Sequence, residues 1–277
     1  MKVRSYCRDC LKNLAGQVVM LSHGGQELLD ACLDLIDTQF AFSKSPTDIS
    51  NRLLKYVKQE TGAYDPYRGK KSTEFYGAIE AAERLKGFFP ENIEGALQSS
   101  AFGNGGDFFT NHLYDTHDFR FRGDVAKITE GFYISNDILI LGDNPGDFVF
   151  DMPLVRLLQK GGKRVLYAVK EHPVQNDLSM PDVVRFGLHE MHPDVLSTGT
   201  AEVGIRREEM SGIIREFWEN GNLIVAKGMG NYESLSEYDD ERRKAIVYIM
   251  KVKCNSVAED LQRNLGDHTA FIGGEHG

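Results

Sequence analysis

The sequence is short of cysteine, of long apolar runs and of positive charge, and each shortage excludes a class of function. Its four cysteines, Cys7, Cys10, Cys32 and Cys254, are too few and too scattered over 277 residues for a secreted disulfide framework. No stretch approaches the ~18–20 apolar residues needed to span a bilayer. The opening MKVRSYCRDC is polar and lacks the apolar run of a signal peptide. These features predict a cytoplasmic protein with no membrane partner. Lys and Arg number 32 against 41 Asp and Glu, a formal net charge of -9. A surface that binds nucleic acid by neutralising phosphates is therefore not expected. There is no internal repeat or low-complexity stretch.

What is present reads as an ordinary globular chain, 41% hydrophobic and 26% charged. Its length suits one large core or two unequal domains. The first hundred or so residues carry helical patterning at 28–42, 45–62, 72–90 and 92–108. Ser45-Pro46 and Gly62 are plausible caps for the second of these. From about 137 onward strand and helix alternate. Strands are predicted at 137–142, 163–170, 222–228 and 243–254, and helices over 147–160, 181–191, 207–221 and 255–266. Such alternation predicts an α/β fold, a mostly parallel sheet sandwiched by helices. An N-terminal all-helical domain over 1–115 would pack on an α/β domain over 116–277.

Ligands of such sheets bind beyond the carboxyl ends of the strands, at a topological switch point. Three predicted strand ends carry suitable chemistry. ILILGDNPGDFVFD (138–151) runs from a buried strand into Asp143, Asn144, Asp147 and Asp151; VKEHPVQND (169–177) ends in Asn176 and Asp177; and AKGMGNYE (226–233) supplies Lys227, Asn231 and Glu233. Asp143, Asn144 and Asp177 offer three oxygen ligands to a hard divalent metal and leave positions open. Lys227 could hold a phosphoryl group as a point charge. Gly146, Gly228 and Gly230 allow backbone N–H groups to approach an anion. A helix starting near Asp147 would aim its N-terminus at the same crevice. Any one of these segments alone reads as a turn or a strand-to-helix junction. Their convergence on one sheet edge is what makes a site.

Together, GDNPGDFVFD, VKEHPVQND and AKGMGNYES resemble the metal-dependent damage-control phosphatases, a family long catalogued as a domain of unknown function. The family's Asp-Asn-x-Gly-Glu-x-x-x-Asp segment is matched by Asp143, Asn144, Gly146 and Asp151, with Asp147 in place of the usual Glu. DPYRGKK (65–71), AFGNGGDF (101–108) and the N-terminal Cys-x-x-Cys are similar to segments of its prokaryotic branch. The resemblance implies a divalent cation (Mg, Mn, Co or Ni) held by Asp143, Asn144 and Asp177. It implies hydrolysis of phosphate monoesters of small metabolites such as sugar phosphates, with Lys227 contacting the phosphate. It places the loop of Asn104 and Asp107 over the site, where a capped helix end is the equal alternative; Asn104, Asn231 and Gly146 are expected to contact the substrate. Asp65 and Lys70 are expected at the surface.

Cys7-x-x-Cys10 could be half a zinc site or a redox pair, but no second pair stands at suitable spacing. His112, His117, His189 and His192 read as solvated loop residues, and Arg120, Arg122 and Lys127 as a surface patch. Two other functions stay open. One is a nucleotide-binding transferase using the same crevice, which the absence of Gly-x-Gly-x-x-Gly and P-loop spacing disfavours. The other is a non-catalytic metal-binding module.

Overall fold

A computed structural model describes residues 1–106, 114–241 and 246–274. Five helices come first: α1 (Ser5–Leu21), α2 (Gln26–Gln39), α3 (Pro46–Thr61), α4 (Arg68–Arg84) and α5 (Ile93–Gly103). Then follow β1 (Phe121–Gly123), α6 (Val125–Ile134), β2 (Asp137–Leu141), α7 (Pro145–Lys160), β3 (Arg164–Val169), α8 (Met180–Phe186), α9 (Leu188–Met191) and β4 (Val195–Ser197). The chain closes with α10 (Gly212–Glu219), β5 (Leu223–Lys227), α11 (Gly228–Leu235), β6 (Ile246–Lys251), α12 (Asn255–Leu261) and β7 (His268–Ile272). None of the described helices is long and apolar enough to cross a membrane.

The sheet has seven strands in the order β1-β7-β6-β5-β2-β3-β4. Strands β2 to β6 are mutually parallel, and β7 runs antiparallel to β6. The α/β fold class read from the sequence is thus the fold observed. From β2 the chain moves outward to β3 and β4. It then returns to β5 on the other side of β2 and continues to β6. The switch point therefore lies between β2 and β5, where ligands of such sheets bind.

Alternation along the central strands decides which layer each helix joins. Leu139, Leu141, Ile224, Ala226 and Tyr248 face a core shared with α1, α2, α3, α10, α11 and α12. Ile138, Ile140, Tyr167, Val225 and Ile249 face a second core with α4, α5, α6, α7 and α8. The N-terminal helices thus share their apolar faces with the sheet, three on one side and two on the other.

Local signals explain most element ends. Ser45 caps α3 by accepting from Asp48 N, Pro46 opens that helix, and Gly62 closes it at φ 68. The segment 207–221, expected to be one helix, is a three-residue 3₁₀ turn followed by α10, because Gly212 at φ 51 breaks the helical path. Gly187, at φ 65, likewise divides the expected 181–191 helix into α8 and α9. The last predicted strand is β6, and 243–245 lie outside the described residues.

Candidate active site

The three predicted strand ends meet at the switch point. The Asp143 carbonyl accepts from Leu178 N at 2.7 Å, and Asn176 Nδ2 donates to Asn144 Oδ1 at 2.6 Å. Both bonds draw the loop after β3 against the end of β2. From the other side, Gly228 opens α11 at φ 74, and a Cβ there would lie 1.9 Å from Asp143 Oδ2. Only glycine lets β5 come this close to the carboxylate. Asn231 Nδ2 ties the two strand ends, donating to Lys227 O at 2.8 Å and Gly142 O at 3.3 Å. Its role here is to clamp the strand ends.

Carboxylates outnumber nearby cations in this space. Burial, then Asp177 and Asp147, push the Asp143 carboxyl up to about 8. Burial pushes Asp177 up to about 6, against the pull of Lys170 and Lys71. Asp143 is the half-buried member, while Asn144, Asp147 and Asp177 are buried. Such unbalanced acids fit a bound cation. Asp143, Asn144 and Asp177 are oxygen donors of the kind hard divalent ions take. Among the described residues no group of three or more His, Cys, Asp and Glu is arranged to hold a metal. The candidate set is therefore two carboxylates and an amide. Cys7 instead pairs with Ser256 Oγ at 3.2 Å.

Lys227 sits beneath the acids. Its Nζ lies 2.6 Å from Ser100 O, 2.8 Å from Ser100 Oγ, 2.9 Å from Asp151 Oδ1 and 3.2 Å from Asp147 Oδ1. Burial alone would lower its pKa, but Asp151 and Asp147 outweigh that and raise it. Four oxygens thus engage three protons, and a phosphate contact would displace one of them. Tyr167 and Ser100 donate to Asp151 at 2.8 and 2.5 Å. Asp147 also closes the start of α7 by accepting from Asn144 N at 3.3 Å. Its carboxylate thus faces inward.

Asn104 does reach the site. From the end of α5 its Nδ2 donates to Asp143 Oδ2 at 2.8 Å and Asp147 Oδ2 at 3.2 Å, and its Oδ1 accepts from Lys251 N at 3.0 Å. Gly146 lies in the first turn of α7, where a Cβ would stand 1.8 Å from Tyr114 Oη. Gly230 faces elsewhere, against Val203. The Glu233 carboxylate lies near the Met1 ammonium and the Cys10 and Cys254 thiols. Asp107 and His112 lie outside the described residues.

Two surface expectations fail. Asp65 is drawn inward by Lys71, which is fully buried and bonds Asp65 at 2.8 Å and Asp182 at 2.7 Å. His192 is buried rather than solvated, its ring set against the Val165 backbone of β3. Arg120, Arg122 and Lys127 are exposed as expected.

Several groups at the site gave no readable signal in the sequence. Lys170 ends β3 with its Nζ 3.7 Å from Asp177. Lys253, just past β6, is half-buried, and its charge reaches Asp143 and Glu74. Among the described residues no ion-pair partner is found for its ammonium. Glu74 enters from α4 and Tyr114 from the far side of α5. A parallel-sheet rule that looks only at strand ends could have found Lys170, but not these helix-borne groups.

The whole chain has relatives. A family model described as the damage-control phosphatase ARMT1-like domain matches residues 4–269. An uncharacterized protein of Methanocaldococcus jannaschii is 27% identical over 293 residues, covering 97% of this chain and 94% of the relative. A damage-control phosphatase of Archaeoglobus fulgidus is 26% identical over 296 residues, covering 98% and 99%. The damage-control phosphatase PH1575 of Pyrococcus horikoshii is 26% identical over 276 residues, covering 95% of each. The crystal structure of PH1575, described as a DUF89 family protein, superposes with a TM-score of 0.85 at 25% identity, covering 99% of both chains.

Proposed function

The chain belongs to the damage-control phosphatase ARMT1-like family, and from that premise we propose that it is a metal-dependent phosphatase. Its substrates would be phosphate monoesters of small metabolites such as sugar phosphates, including damaged ones that need clearing. The observation that carries this reading is the cluster at the β2/β5 switch point. Buried acids from two strand ends converge there with too little positive charge to balance them.

Asp143, Asn144 and Asp177 would hold the divalent cation (Mg, Mn, Co or Ni). When bound, it would supply positive charge to the phosphoryl oxygens and acidify a water. The chain's own residues do the rest. The N-terminus of α7, just after Asn144, turns the positive end of its helix dipole toward the phosphate. Lys253, half-buried and without an ion pair among the described residues, takes the phosphate contact. Lys227 holds Asp147 and Asp151 in place, and Asn104 fixes the orientation of Asp143 through the bond to its Oδ2. Positioning and charge neutralisation carry most of the rate in such a reaction.

The test is phosphate release from p-nitrophenyl phosphate and a panel of sugar phosphates, first without metal and then with each divalent ion. Metal-dependent release that Asp143→Ala abolishes and Lys253→Ala weakens mainly through KM supports the reading. Folded protein that releases no phosphate under any metal refutes it.

A further inference from the structure

Glu74 is the least satisfied charged group in the described structure. It projects from α4, is 0% exposed, and neither carboxyl oxygen has a hydrogen-bond partner of good geometry, the nearest donor being the Gly146 backbone N–H. Leaving a buried polar group unpaired is costly, and native structures rarely carry such a group without a reason. The Tyr114 hydroxyl beside it is also buried and unpartnered. Both groups crowd the same two glycines. A Cβ on Gly146 would lie 3.0 Å from Glu74 Oε1 and 1.8 Å from Tyr114 Oη. A Cβ on Gly106 would lie 3.3 Å from Glu74 Oε1 and 3.1 Å from Tyr114 Oη.

Glu74 therefore abuts the first turn of α7, the turn proposed above to seat the phosphate. An ionised carboxylate there would repel that phosphate. Burial first, and the charge of Asp147 second, hold the Glu74 carboxyl well above its ordinary value. In its protonated form it is a donor with no acceptor, standing beside an anion seat. The other acids are committed elsewhere: Asp147 and Asp151 to Lys227, and Asp143 and Asp177 to the cation site.

We propose that Glu74 is a catalytic residue, the proton donor to the leaving alcohol oxygen of the phosphate ester. The inference rests on the phosphatase reading and deepens it. As water attacks phosphorus, a new P–O bond forms and the P–O bond to the alcohol breaks. The electron pair of the broken bond stays on the alcohol oxygen, which takes the Glu74 proton and departs as the neutral alcohol. The attacking water brings two protons into the product, leaving H₂PO₄⁻ and the Glu74 carboxylate. One of those protons returns to Glu74, and HPO₄²⁻ leaves.

Leaving-group dependence tests this. Glu74→Gln keeps the size and neutrality of the protonated side chain but cannot transfer its proton. It should lower kcat on a sugar phosphate, whose alkoxide leaves poorly, by about 10²–10⁴-fold, the range general acid catalysis supplies. On p-nitrophenyl phosphate, whose leaving group needs little protonation, the loss should stay below about tenfold on the same scale. Glu74→Asp should recover part of the sugar phosphate rate. Equal losses on both substrates, or no loss on either, overturn the role of Glu74 and leave the phosphatase reading standing. Wild-type protein that hydrolyses neither substrate overturns both. Melting temperatures of each variant, with and without Mn²⁺, separate lost chemistry from lost structure.

Discussion

Replacing Lys227 by Met tests how the acid cluster is held. The side chain is 0% exposed, and its ammonium is the shared counter-ion of Asp147 and Asp151, each also fully buried. Methionine fills most of the same volume but leaves two carboxylates without compensation. Removing one partner of a buried ion pair costs roughly 3–5 kcal/mol, because the remaining charge stays desolvated. For a chain of this size each kcal/mol lowers the melting temperature by about 2–4 °C. Lys227→Met should therefore melt about 6–20 °C below wild type. Adding Asp151→Asn removes one stranded charge and should return a substantial part of that loss. The two single variants and the double variant form a cycle whose coupling should exceed about 1 kcal/mol. Differential scanning calorimetry without metal gives all four values. A Lys227→Met protein melting within about 2 °C of wild type would refute the counter-ion role, because so small a shift is below what an uncompensated buried charge costs.

Three further outcomes are expected. Asp143→Asn removes one of the mutually repelling acids, so the metal-free variant should melt at or above wild type while losing the stabilisation that added Mn²⁺ gives the parent. Gly228→Ala should cost stability and metal affinity together, since its Cβ would collide with Asp143 at a backbone φ of 74; a variant with unchanged Mn²⁺ affinity would contradict the geometry. Burial, against the pull of the Met1 ammonium, raises the Glu233 pKa from 4.5 to about 7. The folded state therefore binds the proton more tightly than the unfolded chain, and this stability is present below pH 4.5 and lost as pH rises through about 7. Glu233→Gln should flatten that part of the melting-temperature profile and match wild type near its acid end.

The central strands and the acids at their ends were legible because buried parallel strands are continuous apolar runs and their ends collect ligand chemistry. Thus ILILGDN announced both β2 and Asp143. The short outer strands were not legible. β1 and β4 have three residues each, and β7 follows a turn-rich stretch, so none carries enough periodicity to read. α1 was hidden by its polar start, although Cys7, Leu11, Ala15 and Val18 form its buried stripe. Side-chain direction was the other gap. Lys227 and Asp177 both follow strands, yet one faces inward to Asp151 and the other belongs with Asp143, a difference set by tertiary packing. Glu74 could not be found at all, since a glutamate in a helix is usually a solvated one.

The position of β2 between β3 and β5 also bears on how the chain is made. Asp143, Asp147 and Asp151 leave the ribosome more than seventy residues before Lys227 does. Until then α7 carries carboxylates on the face that must enter the interior, with no cation to meet them. Charged and hydrated, that face favours staying in water. The balanced burial of that face is complete only with β5, which brings both the neighbouring strand of β2 and the ammonium between the acids.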